Sequence, residues 1–214
     1  STMVFPIIES SLTGSFSGSG KMWVNADGQN LQYSVNTTLG TIQSPASFMG
    51  AWSAGGTLST ARHAVAGTGT QNASIAMGGR SPGASSTTEE YNGSGWANGG
   101  NLTTGRAYLA GCGTQTAGLA FGGGTHPSPA TQAITEEYNG SSWSESGDLS
   151  TARRALAGAG TQTSALAFGG SVPPTLQTAT EEYGGTSWTS GGAMSTARKY
   201  LAGAGASQTV ALAF

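Results

Sequence analysis

A motif that recurs about every 45 residues constrains this chain more than any other feature of its sequence. An arginine follows a Ser/Thr-rich turn four times, and successive arginines lie 44, 47 and 45 residues apart. They are Arg62, Arg106, Arg153 and Arg198. A tryptophan precedes each arginine, and these are Trp52, Trp96, Trp143 and Trp188. A period of this length indicates tandem copies of one supersecondary unit.

Each copy carries signals for four short β-strands. Strand a is the Ala/Gly-rich run after the arginine, strand b is an apolar run that ends at Gly-Gly, strand c is Thr-Glu-Glu-Tyr, and strand d holds the tryptophan. Asn-Gly or Gly-Gly joins strands c and d, and both dipeptides tolerate the positive φ angles of a tight hairpin turn. Glycine accounts for 36 of the 214 residues, which disfavours helices. The pattern predicts an all-β fold, and four-stranded units in tandem are typical of a β-propeller.

The combination of Gly-Gly, Tyr, Trp and Arg resembles a kelch repeat over residues 51–214. The tyrosines of this pattern are Tyr91, Tyr138 and Tyr183. The resemblance implies a kelch-like β-propeller with four visible blade repeats. The small residues of strand a would converge near the axis, and the tyrosines and tryptophans would fill the wider space between blades.

Three sequence segments are also similar to kelch-type repeats in structural proteins of tailed, particularly aquatic, bacteriophages. They are T-E-E-Y-N-G-S-S-W, L-S-T-A-R and A-L-A-F-G-G. That resemblance implies a non-enzymatic virion protein of a tail, fibre or capsid surface, assembled in the host cytoplasm. Its partners would be other virion proteins, further copies of itself and a host-surface glycan or protein. The alternatives are a kelch-type carbohydrate-active enzyme and a lectin-like binding module, because fold alone does not fix function.

Most of the charge lies at positions that the repeat fixes. Four of the eight cations are the repeat arginines, and six of the ten acids are paired glutamates in strand c. We expect Arg106 and Arg153 to be at least half buried and paired with a glutamate or with carbonyls. Adjacent strand residues point to opposite faces, so one glutamate of each pair would bond an arginine and the other would face solvent. The second glutamates are Glu90, Glu137 and Glu182.

The remaining composition disfavours several classes of protein. A net charge of −2 leaves no basic surplus for nucleic acid, and no apolar run approaches the ~20 residues of a membrane helix. The single cysteine, Cys112, excludes an internal disulfide framework. The two histidines occupy unlike positions, so no metal site and no cofactor are predicted.

The first fifty residues break the repeat. Residues 1–20 read as a flexible arm whose Phe5, Ile7 and Ile8 would anchor the protein to a particle, and residues 21–50 read as a β-hairpin with a connector. The N-terminal segment could supply the outer strands of the last blade, with Trp52 as strand d, and so close a four-bladed ring. The other interpretation is a part of a larger ring.

The loops between strands b and c differ from repeat to repeat. They span 80–86, 124–134 and 171–179, and strand alternation predicts them beside the turns that join strand d to the next strand a. A rigid scaffold that presents variable loops is a common design for binding. The candidate binding residues are Arg80, His126, Pro127, Pro173 and Pro174.

Overall fold

The computed structural model describes the strands at 21–24, 30–35 and 38–43, and residues 54–125 and 130–214. The chain divides into two units, Ser1–Ala54 and Gly55–Phe214. The described residues form strands and turns with no α-helix, which confirms the all-β prediction.

The first unit contains a three-stranded antiparallel sheet. Its strands are β1 (Lys21–Val24), β2 (Asn30–Val35) and β3 (Thr38–Gln43), in that order across the sheet. The pairing of β1 with β2 confirms the predicted hairpin, whereas β3 was not predicted. Several predicted residues lie outside the described part of the chain: Phe5, Ile7, Ile8 and Trp52.

The second unit repeats one antiparallel sheet. Repeat 1 contains β4 (Ala66–Thr70), β5 (Ala73–Met77), β6 (Thr88–Tyr91) and β7 (Trp96–Asn98). Repeat 2 contains β8 (Ala110–Gly113), β9 (Gly118–Phe121), β10 (Thr135–Tyr138) and β11 (Trp143–Ser146). Repeat 3 contains β12 (Ala157–Gly160), β13 (Ala165–Phe168), β16 (Thr180–Tyr183) and β17 (Trp188–Ser190). Its b–c loop holds the small hairpin of β14 (Ser171–Val172) and β15 (Thr175–Leu176).

Repeat 4 is described as two strands, β18 (Gly203–Ser207) and β19 (Val210–Ala213). In repeats 1 to 3 the spatial order of the strands is a, b, c, d, as the sequence predicts.

Each repeat has a leading face, which meets the repeat before it, and a trailing face, which meets the repeat after it. The a strands are neighbours in the order β4, β8, β12 and β18. Among the described residues these repeats form an open row, and no closed ring is present.

Aromatic side chains pack between successive repeats. Tyr138 and Trp143 of repeat 2 are buried in one cluster with Ile75 and Met77 of repeat 1. The corresponding cluster between repeats 2 and 3 contains Phe121 and Trp188, whose ring centroids are 4.8 Å apart. Removal of this apolar surface from water, at roughly 25 cal/mol per Å², stabilises the row. The prediction that Tyr and Trp fill the space between repeats is confirmed.

Candidate functional site

Arg106 is completely buried in an ion pair with the first glutamate of strand c. Its Nη2 lies 2.7 Å from Oε1 of Glu136, and both side chains are 0% exposed. Nη1 donates hydrogen bonds to the carbonyls of Gly122 and Ile134, at 2.9 and 2.5 Å. The other oxygen of Glu136 accepts the backbone N–H of Thr103 at 2.7 Å. Glu136 therefore joins the turn before the arginine to strand c.

Repeats 1 and 3 contain the same ion pair. Arg62 lies 2.5 Å from Glu89, and Arg153 lies 3.0 Å from Glu181. In each case the second carboxylate oxygen accepts a backbone N–H of the preceding turn at 2.7 Å, from Ser59 and from Ser150 respectively. The prediction of buried, paired repeat arginines is thus confirmed for Arg106 and Arg153, and the partners are Glu136 and Glu181.

These hydrogen bonds determine how the buried groups ionise. Burial lowers the pKa of Arg106, and the neighbouring Glu136 opposes that change. Burial acts to raise the pKa of Glu89, but the hydrogen bonds from Ser59 and Arg62 outweigh it, so this pKa lies below its ordinary value. Glu89 is therefore held as a carboxylate acceptor. An acid that donates protons in catalysis would need its pKa shifted in the opposite direction.

The second glutamates correct one prediction. Glu90 accepts a hydrogen bond from the Tyr138 hydroxyl of the next repeat. Glu137 accepts one from Tyr183 at 2.6 Å and a longer one from Ser146 at 3.3 Å. The expectation that these carboxylates face solvent is wrong for Glu90 and Glu137, because that side of strand c meets the neighbouring sheet. Glu182 of repeat 3 is partly exposed, and no tyrosine hydroxyl among the described residues bonds to it.

Two further polar contacts connect repeats 2 and 3 to the repeat before each of them. The indole N–H of Trp143 donates to the Thr88 hydroxyl at 3.0 Å, and that of Trp188 donates to Thr135 at 2.9 Å. The side-chain amide of Gln115 donates to the carbonyls of Ser74 and Tyr91, and Gln162 repeats this contact one repeat later. Our sequence reasoning missed these glutamines, although a glutamine recurs between strands a and b of every repeat.

The first and last motif residues have different surroundings. Trp96 is half-buried, and its indole donates to the carbonyl of Gly56 at 3.0 Å. Arg198 is exposed, and no carboxylate among the described residues pairs with it. The described part of repeat 4 lacks a strand c, which supplies the glutamate in the other repeats.

The b–c loops lie against the arginine-containing turns, as predicted. The backbone N–H groups of Arg106, Arg153 and Arg198 donate to loop carbonyls in the preceding repeat, at 3.0, 3.2 and 3.3 Å. Arg80 forms a β-bridge with His63, and its Nε donates to the Pro82 carbonyl at 3.2 Å. We call the b–c loops together with these turns the loop edge.

Among the candidate loop residues, Pro173 and Pro174 are exposed between β14 and β15. His126 and Pro127 lie outside the described residues.

The loop edge carries positive charge. Of the seven cations in residues 55–214, three form the buried ion pairs and the other four lie in the loop edge. The four are Arg80, Arg154, Arg198 and Lys199. The ammonium of Lys199 lies 5.2 Å from the centroid of the Tyr200 ring, and that ring is 6.0 Å from Tyr108. The b–c loops contain no Asp or Glu, and the arginine-containing turns contain one acid, Asp148, whose Oδ1 accepts the backbone N–H of Thr135 at 3.1 Å. The four cations exceed this single carboxylate, so the edge favours anionic ligands.

We also searched the described part of the chain for a reactive thiol, a metal site and a membrane-spanning helix. Cys112 is buried, and burial raises the pKa of its thiol to about 12, which opposes a role as nucleophile. No group of three or more His, Cys, Asp or Glu side chains in the described residues is placed to hold a metal ion. The described residues also contain no helix with the length and apolarity to cross a membrane.

No protein-family model matches this chain, and a search of the curated proteins found no relative of it.

Proposed function

We propose that this protein is a non-enzymatic structural protein of a bacteriophage particle. Residues 55–214 would form blades of a kelch-like β-propeller, and the loop edge would face outward. The observation that carries this proposal is the buried pairing of Arg106 with Glu136, repeated in the two neighbouring repeats. It assigns the most regular charged residues to holding strand c of each of these repeats to the turn before it, which leaves the variable loops for recognition.

The chemistry of strand c supports a scaffold in preference to a glycosidase. A glycoside hydrolase needs two carboxyl groups that face one substrate. Here Glu136 and Glu137 point to opposite sides of the sheet, one toward Arg106 and the other toward Tyr183. The strand c glutamates of repeats 1 and 2 are therefore all engaged in contacts that join strands or repeats.

Particle incorporation is the decisive experiment. Phage particles from infected cells would be purified on a density gradient, and the chain would be quantified by mass spectrometry against the major capsid protein. We expect it at a fixed stoichiometry in the particle band. Its confinement to the soluble lysate would overturn the proposal.

Residues 1–20 can be tested in the same experiment. Deletion of residues 1–20 should leave a folded protein that no longer enters particles. The reason is that burial of Phe5, Ile7 and Ile8 against a neighbouring subunit would each contribute roughly 1.5–3 kcal/mol of binding free energy, before the cost of ordering the segment. Normal incorporation of the shortened chain would show that the anchor lies elsewhere. Turnover of a sugar substrate by residues 51–214 would favour the enzyme alternative.

The charge of the loop edge favours a lectin-like role as the second candidate function. Arg154 and Lys199 follow the repeat arginines directly and are half-buried and exposed, respectively. A glycan array would test this role with the variant Arg154→Ala/Lys199→Ala and the control Lys21→Ala, which removes a cation from the first unit. Binding of carboxylated or sulfated glycans that the double variant loses and the control retains would support it.

A further inference from the structure

Two tyrosines of the loop edge lie outside the kelch-like pattern. Tyr108 and Tyr200 each follow a repeat arginine by two residues, and the same position holds Ala64 in repeat 1 and Ala155 in repeat 3. All four residues have a positive φ, between 55 and 59°, which is unfavourable for any side chain larger than that of glycine. Since alanine serves this backbone position in two repeats, the fold does not require the two phenol rings.

Backbone hydrogen bonds bring the two rings together. The N–H of Ala155 donates to the Tyr108 carbonyl at 2.8 Å, and the N–H of Tyr200 donates to the Ala155 carbonyl at 2.9 Å. Tyr108 and Tyr200 therefore stand on either side of Ala155, although they belong to repeats 2 and 4. Their ring centroids are 6.0 Å apart, and their planes meet at 61°. We call these two residues the tyrosine pair.

The ring of Tyr108 is accessible within the row of repeats. Repeats 1 and 3 lie on either side of repeat 2, and Tyr108 is still partly exposed between them. The tyrosines of strand c differ, because Tyr138 and Tyr183 pack between repeats and are 0% exposed. Tyr108 thus presents an aromatic surface that the packing of the repeats does not use.

Two cations flank the tyrosine pair. Arg154 directly precedes Ala155, and Lys199 directly precedes Tyr200. The Lys199 ammonium lies 5.2 Å from the centroid of the Tyr200 ring, which is within the range of cation–π attraction. Reciprocal backbone hydrogen bonds with Ser171, at 3.1 and 2.8 Å, fix the position of Arg154. No carboxylate among the described residues forms an ion pair with either cation.

This combination fits a ligand that has both an apolar face and a negative charge. The C–H bonds on one face of a pyranose ring form such an apolar surface, and it packs against aromatic rings. A carboxylate or sulfate on the same sugar accepts charge-assisted hydrogen bonds from Arg154 or Lys199. A nucleic acid fits less well, because rings that meet at 61° hold no flat base between them and a net charge of −2 leaves no basic surplus for phosphates.

We propose that the tyrosine pair and the two cations beside it bind an acidic saccharide, a pyranose sugar that carries a carboxylate or a sulfate. Tyr108 packs against the apolar face of the sugar, while Arg154 and Lys199 bind its anionic group. The inference rests on the proposed function, in which the loop edge faces outward. It gives the lectin-like role a location and a class of ligand.

Calorimetric titration of the full chain with defined tetrasaccharides tests the site. The probes are tetragalacturonate, which carries carboxylates, a sulfated galactose tetrasaccharide and neutral galactotetraose. We expect at least one acidic probe to bind with a Kd of about 1 mM or lower, and the neutral probe to bind at least about tenfold more weakly. The acidic probe that binds more tightly identifies the anionic group that the site prefers.

The repeats themselves supply variants that preserve the fold. Tyr108→Ala introduces the residue that repeats 1 and 3 carry at this position, and Arg154→Ala introduces the residue that repeat 2 carries at its own. Each should weaken binding of the acidic probe at least about fivefold. The controls are Tyr108→Phe, which retains the ring, and Lys21→Ala, which removes a cation from the first unit. Both should bind like the wild type.

Several results would overturn the proposal. They are a wild type that binds neither acidic probe at about 10 mM, equal affinity for the neutral tetrasaccharide, and unchanged affinity in both alanine variants. Tighter binding of an octathymidylate, lost in Tyr108→Ala, would assign the site to nucleic acid and overturn it equally. The virion role is judged separately, by particle incorporation, because a chain that is absent from particles can still bind the sugar in the titration.

Discussion

The hydroxyl of Tyr183 donates a hydrogen bond of 2.6 Å to the carboxylate of Glu137 in the preceding repeat. The same contact joins Tyr138 to Glu90 one repeat earlier. In repeats 1 to 3 a buried ion pair holds strand c to the turn before it, and in repeats 2 and 3 the tyrosine–carboxylate bond holds the repeat to the one before it. The two adjacent glutamates of strand c therefore have separate structural roles.

Loss of a repeat arginine should destabilise the fold. Arg153→Ala leaves Glu181 buried without its cation, which costs about 3–5 kcal/mol of unfolding free energy. The matched control is Arg198→Ala at the same position of repeat 4, where the arginine is exposed, and its effect should stay within about 0.5 kcal/mol. Urea unfolding followed by tryptophan fluorescence measures both. Equal effects of the two substitutions would contradict the structural role.

The glycines of strand a should tolerate a methyl group unequally. In Gly158→Ala the new Cβ meets the rigid ring of Phe121, which costs about 1–3 kcal/mol. In Gly111→Ala the nearest atom is the S-methyl of Met77, at 3.1 Å, and this flexible side chain moves more easily. Thermal unfolding should therefore show a larger fall in Tm for Gly158→Ala. The reverse order would argue against this packing between repeats.

Acid should destabilise the protein through Glu89. The folded-state pKa of this group lies below its ordinary value of 4.5, so its contribution to stability is present above pH 4.5 and is lost as the pH falls through the folded pKa. Urea midpoints measured from pH 7 to pH 3 should fall most steeply below pH 4.5. The variant Glu89→Gln should start from a lower stability and show a flatter dependence in this range.

Alkali should destabilise it through Tyr183. Burial, together with the hydrogen bond to Glu137, raises the pKa of Tyr183 from 10 to about 12. A raised folded pKa gives stability that is fully present below pH 10 and is lost as the pH rises toward 12. Burial and the hydrogen bond to Glu90 also raise the pKa of Tyr138, so absorbance at 295 nm should show late-ionising tyrosine that Tyr183→Phe reduces in amplitude. Ionisation of every tyrosine near pH 10 would contradict the buried contact.

The thiol of Cys112 should be protected in the folded protein. Because burial raises its pKa to about 12, an aromatic disulfide reagent at pH 8 should react with it only as fast as the protein opens. Addition of urea above the unfolding midpoint should release one equivalent of reactive thiol at once. Rapid labelling without denaturant would place this side chain at the surface.

The repeat motif by itself determined the architecture of each sheet. Small residues, an apolar run, Thr-Glu-Glu-Tyr and a tryptophan, joined by short turns, specify neighbouring antiparallel strands because their pairing is local in sequence. The burial of Arg106 and Arg153 also followed from the sequence, since a charge placed so regularly in a chain with 8% charged residues needs a structural partner.

Only the tertiary structure decided how the repeats contact one another. The packing of adjacent sheets decides which glutamate of a pair meets an arginine. It also decides that the other glutamate meets a tyrosine of the next repeat. The partners Glu137 and Tyr183 are 46 residues apart, so no local pattern links them. The positive φ of Ala64 and Ala155 was equally hidden, because alanine does not favour that conformation and a backbone hydrogen bond to the next repeat accompanies it. The sequence sets hydrogen bonds between neighbouring strands, whereas contacts across sheet faces depend on packing between distant residues.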